Sequence, residues 1–380
     1  MRRIYLDYAA TTPVSLEVLR DMLPYFSETF GNADSPHSFG RDAADALDRA
    51  RRRIAEIAGA RHTEIYFTSG GTEANNWAVK GAFKEGIKRG RNRIITSVIE
   101  HSSVLSAVSS CGAAATYLPV GADGTVDPES LERAMGGDVA LVSVMAVNNE
   151  TGAVQPTERL AEIARRGGAL FHTDAVQAAC FGISRYVAVS DLVTLSAHKL
   201  YGPKGIGMLY VRRGTRIGQL IEGGEQERDM RGGTVNVPAA VGFASALSAY
   251  DAAREEENER LRALRDIFVS RVLGSGIGAV VNGGERSAPG IVNLRVRGID
   301  DDSLLHMLDL EGVACSAGAA CSSGSAEPSH VLLAMGLTES EARPSVRVSM
   351  GRSTTDSDVS EAAERFVRAA ERIISGRKKQ

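Results

Sequence analysis

The chain has 380 residues, 43% of them hydrophobic and 24% charged, which gives a sizeable core and exceeds the size at which a single core stops growing, so one large domain plus a smaller one is expected. Forty-four basic against forty-seven acidic side chains leave a formal net charge of −3, no electrostatic case for nucleic acid as the main partner, and no apolar run is long enough to cross a bilayer. The four cysteines, Cys111, Cys180, Cys315 and Cys321, are too few and too scattered for a disulfide framework, so reduced thiols are expected. Met1 to Asp7 carries basic residues but no apolar stretch of a signal peptide, and a cytoplasmic protein is expected.

In chain order, Arg41 to Ala58 places Leu47, Ala50, Ile54, Ile57 and Ala58 on one helical face, with Gly59 as a stop. Short apolar runs follow, each bounded by turn residues: Ile65–Thr68, Ile94–Thr96, Val139–Val147, Ala169–Phe171 and Leu192–Thr194. Their alternation with helical patterns predicts an α/β fold with parallel strands and helical crossovers. Pro238 to Leu273 reads as helical and charged, the run Arg254–Arg260 being a solvated face. Beyond it, strand-like Ile291–Leu294, helix-like Asp302–Leu310, strand-like Ser345–Ser349 and a helix from Asp356 to Ile374 predict a small α/β unit.

Ligands of open parallel sheets collect beyond the carboxyl ends of the strands, and the unusual residues lie there. Ser69-Gly70-Gly71-Thr72-Glu73 ends a strand and opens a helix, which offers backbone N–H groups, close approach and a hydroxyl to a phosphate. The spacing matches neither the P-loop nor the GxGxxG fingerprint, and a glycine turn of this kind also occurs without any ligand. Asp174 and Lys199 each follow a strand. A pyridoxal cofactor needs both residue types, a carboxylate for the pyridinium nitrogen and a lysine for covalent attachment and proton transfer. Taken singly they read equally as a helix cap and a surface lysine; the tight Gly202–Gly207 turn after Lys199 argues against the second. His101 is open to ring stacking, proton transfer or helix capping, and gains weight from sharing a sheet edge with Asp174, Gln177, His198 and Lys199.

Five stretches carry a resemblance to a known family: Tyr5-Leu6-Asp7-Tyr8-Ala9-Ala10-Thr11-Thr12-Pro13, Phe67 to Asn76, Val147-Asn148-Asn149-Glu150-Thr151-Gly152, Ser196 to Gly205, and Cys315-Ser316-Ala317-Gly318-Ala319-Ala320-Cys321-Ser322-Ser323-Gly324. With these the chain resembles the cysteine desulfurases of the NifS/IscS type, members of the aminotransferase-like fold-type I enzymes that use pyridoxal 5'-phosphate. The resemblance implies a large cofactor-binding domain over 14–250, with a mostly parallel central sheet flanked by helices. It implies a small α/β domain from 1–13 with 251–380, carrying a catalytic cysteine loop at about 315–328.

Carried over by position, the resemblance implies that Lys199 holds the cofactor, that His101 stacks on its ring and handles protons, that Asp174 pairs with the pyridine nitrogen and that Gln177 contacts the ring hydroxyl. Gly71, Thr72, Ser196 and His198 would hold the phosphate, with Thr234 of Arg231-Gly232-Gly233-Thr234 reaching in from a second subunit of a homodimer. Asn149 and Arg347 would bind the carboxylate of an L-cysteine substrate, a role suited to the guanidinium fork. Cys321 would be the nucleophile that takes the substrate sulfur as a persulfide and leaves alanine; as a thiol of ordinary pKa ~8.5 it needs a lowered value or His101 as base. The implied acceptors are an iron–sulfur scaffold of the IscU/NifU type or a tRNA-thiolation protein.

The chain departs from the family at Ala33-Asp34, where Pro-Ser is frequent, and at Ala319, where Ser is usual. Cys315 is open to three readings: a small buried hydrophobe, a resolving thiol, or a metal ligand at a spacing that fits no common zinc motif. A selenocysteine lyase or another fold-type I aminotransferase keeps Lys199 and Asp174 and stands as the alternative; a thiol hydrolase would need no cofactor.

Overall fold

The computed structural model describes residues 2–299, 301–318 and 327–377. Its strands, in chain order, are β1 (Ile4–Tyr5), β2 (Ile65–Thr68), β3 (Arg93–Ser97), β4 (Ala114–Leu118), β5 (Val139–Ser143), β6 (Leu170–Asp174), β7 (Leu192–Ser196), β8 (Gly207–Val211), β9 (Ala279–Asn282), β10 (Ile291–Val296), β11 (Val313–Ala314) and β12 (Val346–Ser349).

Seven of these form the central sheet in the order β2-β8-β7-β6-β5-β3-β4. The pairs β3–β4, β3–β5, β5–β6 and β6–β7 are parallel, while β8 runs antiparallel to both β7 and β2. The sequence predicts a helical crossover after every strand, and after β7 that expectation fails. One short 3-10 turn, Ala197–Lys199, and the Gly202–Gly205 bend return the chain directly as β8. The run Val139–Val147 also divides: the strand stops at Ser143, and beyond it the Val144 and Ala146 amides still donate to the His172 and Asp174 carbonyls of β6. The predicted helix over Pro238–Leu273 is two helices, Val237–Ala252 and Arg254–Gly274, meeting at Ala253.

Side-chain alternation buries the sheet on both faces, as a parallel sheet requires. Leu192 and Leu209 pack with Trp77, Ala78 and Ala82 of the helix Gly71–Ile87. Their neighbours Val193, Met208 and Tyr210 pack on the opposite face with Ile54, Ala58, Ala240 and Phe243. The second layer there is the helix Ser38–Ala58, capped by His37 Nδ1 accepting from the Gly40 amide and closed by Gly59 at φ 65°. Its buried face is mostly alanine, with Ile54 fully enclosed, so the helix Val237–Ala252 lies close against it. Truncating Ile54 to Ala in such a setting costs ~2–5 kcal/mol.

The second sheet, β12-β10-β9, is antiparallel and is backed by the helices Arg254–Gly274 and Asp356–Arg377, where Phe268 and Phe366 meet edge to face at 5.9 Å. The N-terminal strand β1 pairs in parallel with β11, and Ile4 and Leu6 join this second core. Among the described residues no helix is long and apolar enough to cross a membrane.

Candidate active site

The cavity sits beyond the carboxyl ends of the central strands. It measures about 190 Å³ and draws on almost every residue singled out from sequence. Gly71, Thr72, His101, Asp174, Gln177, Ser196, His198 and Lys199 line it, together with Asn149 and Arg347.

The cradle forms because Gly70, at φ 156° and ψ −177°, takes a backbone conformation that a side chain disfavours and so lets β2 turn into the helix Gly71–Ile87. Glu73 holds the turn by accepting from the Ser69 amide at 2.9 Å, and Arg231 grips the same carboxylate through Nε and Nη2 at 2.8 and 3.0 Å. These hydrogen bonds keep the Glu73 carboxyl below its usual value against an opposing cost of burial. The first amides of the helix are left for an anion.

Asp174 is 6% exposed at the end of β6. Its Oδ1 accepts from the Val176 amide at 3.0 Å and its Oδ2 from Asn75 Nδ2 at 2.7 Å. Asn75 also donates to Ser103 Oγ at 2.9 Å, and that hydroxyl lies 2.8 Å from His101 Nδ1. The Ser103 amide donates to Nδ1 as well, at 3.1 Å, so the neutral imidazole carries its proton on Nε2. His101 thus caps the helix Ser102–Ser110 and lines the cavity at once. Burial first, then the Lys199 and His330 charges, lower its pKa against the pull of Asp174.

Lys199 Nζ donates to the carbonyls of Ala9 at 2.7 Å and Ala10 at 2.5 Å, and Gln177 Nε2 donates to the same Ala9 carbonyl at 2.7 Å. The N-terminal segment is fastened to this turn: Thr12 donates to the His198 carbonyl at 2.9 Å and accepts from the Tyr201 amide at 2.8 Å, while Thr11 Oγ1 lies 3.2 Å from His198 Nδ1. Burial and the adjacent Lys199 push His198 down to about 4. Tyr201, at φ 64°, adopts the left-handed conformation that ends the turn.

Arg347 reaches the cavity from β12 and is 1% exposed. Nη2 pairs with Asp7 Oδ1 at 2.6 Å and Nη1 donates to the Asn149 carbonyl at 3.0 Å; the buried Nε has no hydrogen-bond partner among the described residues. A buried guanidinium with an unused donor, lining a cavity, fits an anionic ligand group.

Behind this surface lies Glu100, fully buried, accepting from Ser97 Oγ at 2.5 Å and from the Met145 amide at 2.9 Å. Burial raises its pKa to about 8, with a smaller push from Asp174. Glu100 stands beside His101 among the unusual residues at the strand ends, but the sequence assigns no role to it, to Asn75 or to the Ala9 and Ala10 carbonyls, although Asn75, Ala9 and Ala10 stand inside the quoted motifs.

Thr234 is exposed and is not among the residues that line the cavity of the single chain. Cys321 lies outside the described residues. Cys315 is half-buried against the second core, and burial, followed by the Asp7 charge, raises its thiol pKa. Asn32 and Asp34 form a local turn in which Asn32 Oδ1 accepts from the Asp34 amide at 3.0 Å.

A strand-end cradle, a buried carboxylate and a lysine around one cavity, on a mostly parallel seven-stranded sheet, define a recognisable class. The chain belongs to the class-V aminotransferase family, whose model matches residues 4–361. It is similar to a cysteine desulfurase IscS of Dictyoglomus turgidum, 43% identical over 98% of this chain and 95% of the relative. Among solved structures, a NifS-like protein superposes with a TM-score of 0.89 at 35% identity, covering 98% of this chain and 100% of that one. SspA in complex with cysteine superposes at 0.80 with 35% identity, covering 91% of this chain and 98% of that one.

Proposed function

We propose that the chain is a cysteine desulfurase that binds pyridoxal 5'-phosphate, converts L-cysteine to L-alanine and holds the sulfur as a persulfide on Cys321. The observation that carries this reading is the convergence of Lys199, Asp174 and Arg347 on one cavity in a chain whose relatives bear that name. Cysteine as the substrate is supported by the SspA complex.

The residues present fit the cofactor. Lys199 would bind it covalently, Asp174 would keep its ring nitrogen protonated, His101 would cover the ring and Gln177 would meet the ring hydroxyl. The cradle at Gly71 and Thr72, with Ser196 and His198, would take the phosphate. A carbon at Gly71 Cβ would stand only 3.1 Å from Val176 Cγ2, so the missing side chain lets the start of the helix and Val176 lie close together at the cavity. When bound, the cofactor supplies an electron sink that acidifies the substrate α-carbon and makes its Cβ–S bond breakable.

The protein's part follows from placement. Arg347 and Asn149 hold the substrate carboxylate. The Lys199 amine removes the α-proton. His101, uncharged because burial lowers its pKa, keeps Nδ1 on the Ser103 amide and has its Nε2 proton to hold or donate. The Cys321 thiolate attacks the substrate sulfur; an S–S bond forms, the Cβ–S bond breaks, and the carbon keeps the electron pair and takes a proton. Cysteine and enzyme thiol become alanine and enzyme persulfide, with atoms and charge balanced. The persulfide then passes to an acceptor, an iron–sulfur scaffold of the IscU/NifU type or a tRNA-thiolation protein.

A cytoplasmic homodimer completes the reading, with Thr234 supplied across the interface. It is supported by the exposure of Thr234 and by exposed Leu16, Leu23, Phe26, Phe30 and Phe39 near the N-terminus, an apolar surface of the kind subunits cover. The pairing of β1 with β11 supports the division into 14–250 and 1–13 with 251–380. Changing Cys321→Ser tests the function: alanine release should fall by ~10³-fold or more while the visible absorbance of the lysine-bound cofactor is kept. Normal alanine and sulfide production by that variant would overturn the assignment.

A further inference from the structure

Glu150 lies one residue beyond the substrate-facing Asn149, yet its side chain turns away from every role given above. It is 2% exposed. Its amide donates to Asn148 Oδ1 at 2.9 Å and its carbonyl accepts from Asn293 Nδ2 at 3.3 Å, so the backbone is fixed on both sides. Its carboxylate meets two residues distant in sequence from it. Ser329 Oγ donates to Oε2 at 2.5 Å, and a carbon built at the Cβ of Gly318 would fall 2.8 Å from the same oxygen.

Gly318 and Ser329 are the two ends of the stretch that contains Cys321. Gly318 is absent from the positive-φ residues, so its backbone conformation is open to any amino acid; the missing side chain is what lets the chain press against the carboxylate. Each end is also tied onward. Ser316 donates to the Gly318 carbonyl at 3.2 Å and exchanges two backbone hydrogen bonds with Arg347, at 3.2 and 2.6 Å. Ser329 caps the turn His330–Ala334 by accepting from the Leu332 amide at 3.2 Å, and His330 Nε2 lies 3.1 Å from the Glu100 carbonyl.

We propose that Glu150 is a positioning residue for the sulfur-transfer step: its carboxylate bonds one end of the stretch carrying Cys321, at Ser329, and packs against the other, at Gly318, beside the residues that hold the substrate carboxylate. The inference rests on the desulfurase reading and specifies how its nucleophile is referred to the cavity. The attack requires near-contact between two sulfurs, and a misplacement of about 1 Å costs ~10²-fold in rate. Substrate binding and cofactor attachment use other residues and should be left in place.

Three variants test it in the cofactor-loaded enzyme. Glu150→Ala should lower kcat for alanine release by ~10–100-fold with the KM for cysteine within about twofold and the cofactor absorbance intact. Glu150→Gln keeps an acceptor for Ser329 and should stay within about threefold of the parent enzyme, and Gly318→Ala should follow Glu150→Ala in direction. Amide hydrogen exchange across 327–334, measured without substrate, should accelerate about tenfold or more in Glu150→Ala and not in Glu150→Gln. A kcat within twofold of the parent, a KM rising in step with the loss, or loss of cofactor absorbance in Glu150→Ala would each overturn the proposal. Should the parent enzyme release no alanine from cysteine, the functional reading fails, and the exchange measurement still decides whether Glu150 holds the Ser329 end.

Discussion

The floor and the wall of the cavity are made differently. On the floor, Asp174, Ser196, His198, Lys199 and the cradle each stand at the end of a strand of one sheet, so neighbouring strands bring them together as soon as they pair. The wall comes from elsewhere: Arg347 lies on β12 of the second sheet and is held by Asp7 and by the Asn149 carbonyl. Floor residues share one sheet and are fastened further by the N-terminal segment at Ala9 to Thr12, whereas Arg347 of the wall is brought in by a different sheet. Substitutions in the floor should therefore remove the chemistry, and substitutions in the wall should weaken substrate handling and the junction between the two sheets.

The largest effect should come from Lys199→Ala. With the proposed attachment point and base both gone, turnover should fall by ~10⁴-fold or more and the visible absorbance should disappear. The fold should hold, since the Ala9 and Ala10 carbonyls that Lys199 meets stand next to Thr12, which has its own ties to His198 and Tyr201. Survival of colour and activity would break the comparison at its centre.

Arg347→Lys should act on the wall. A point charge replaces a fork that serves Asp7 and Asn149 and, in the proposed reading, the substrate carboxylate, so KM for cysteine should rise ~10–100-fold, the equivalent of ~1.5–3 kcal/mol for a charged hydrogen bond, with a smaller change in kcat. Thermal unfolding should also shift down, because Asp7 is left with a poorer partner. An unchanged KM would show that the unused Nε donor faces no ligand group.

Much of the floor was legible because the chemistry-bearing side chains follow apolar runs whose period marks strands, as at Asp174 after β6 and Lys199 after β7. The antiparallel β8 was not, because Gly207–Val211 follows a turn rich in glycine and nothing in its pattern distinguishes a hairpin return from another crossover. The carbonyls of Ala9 and Ala10 escaped for a different reason: a backbone oxygen has no residue signature, and its use depends on where Thr11 and Thr12 fasten the segment. Asn75 is one of two adjacent asparagines on a helix, and only the fold shows that it, and not Asn76, reaches Asp174. Glu150 reads as part of a motif, and its meeting with Gly318 and Ser329 appears only when the two sheets are assembled.

The smallest effect concerns Glu100, under the floor. Its pKa is raised to about 8 from an ordinary 4.5, so the folded protein holds the proton more tightly than the unfolded chain. The stabilisation is then fully present below 4.5 and is lost as pH rises through about 8, with a slope of about 1.4 kcal/mol per pH unit for one proton. His172 and His198 are shifted the opposite way, to about 3 and about 4, so their contributions are complete above 6.5 and flat beyond it. Between pH 6.5 and 8 the slope due to Glu100 therefore stands apart from theirs. Glu100→Gln keeps the shape of the neutral acid and can accept from Ser97 and the Met145 amide, so its Tm should fall less over that interval than the parent's, by a difference of several degrees at most for ~1–2 kcal/mol in a chain of this size. Parallel Tm curves for the two proteins would mean that Glu100 is already charged beneath His101, and that the floor tolerates a buried negative charge beside Asp174.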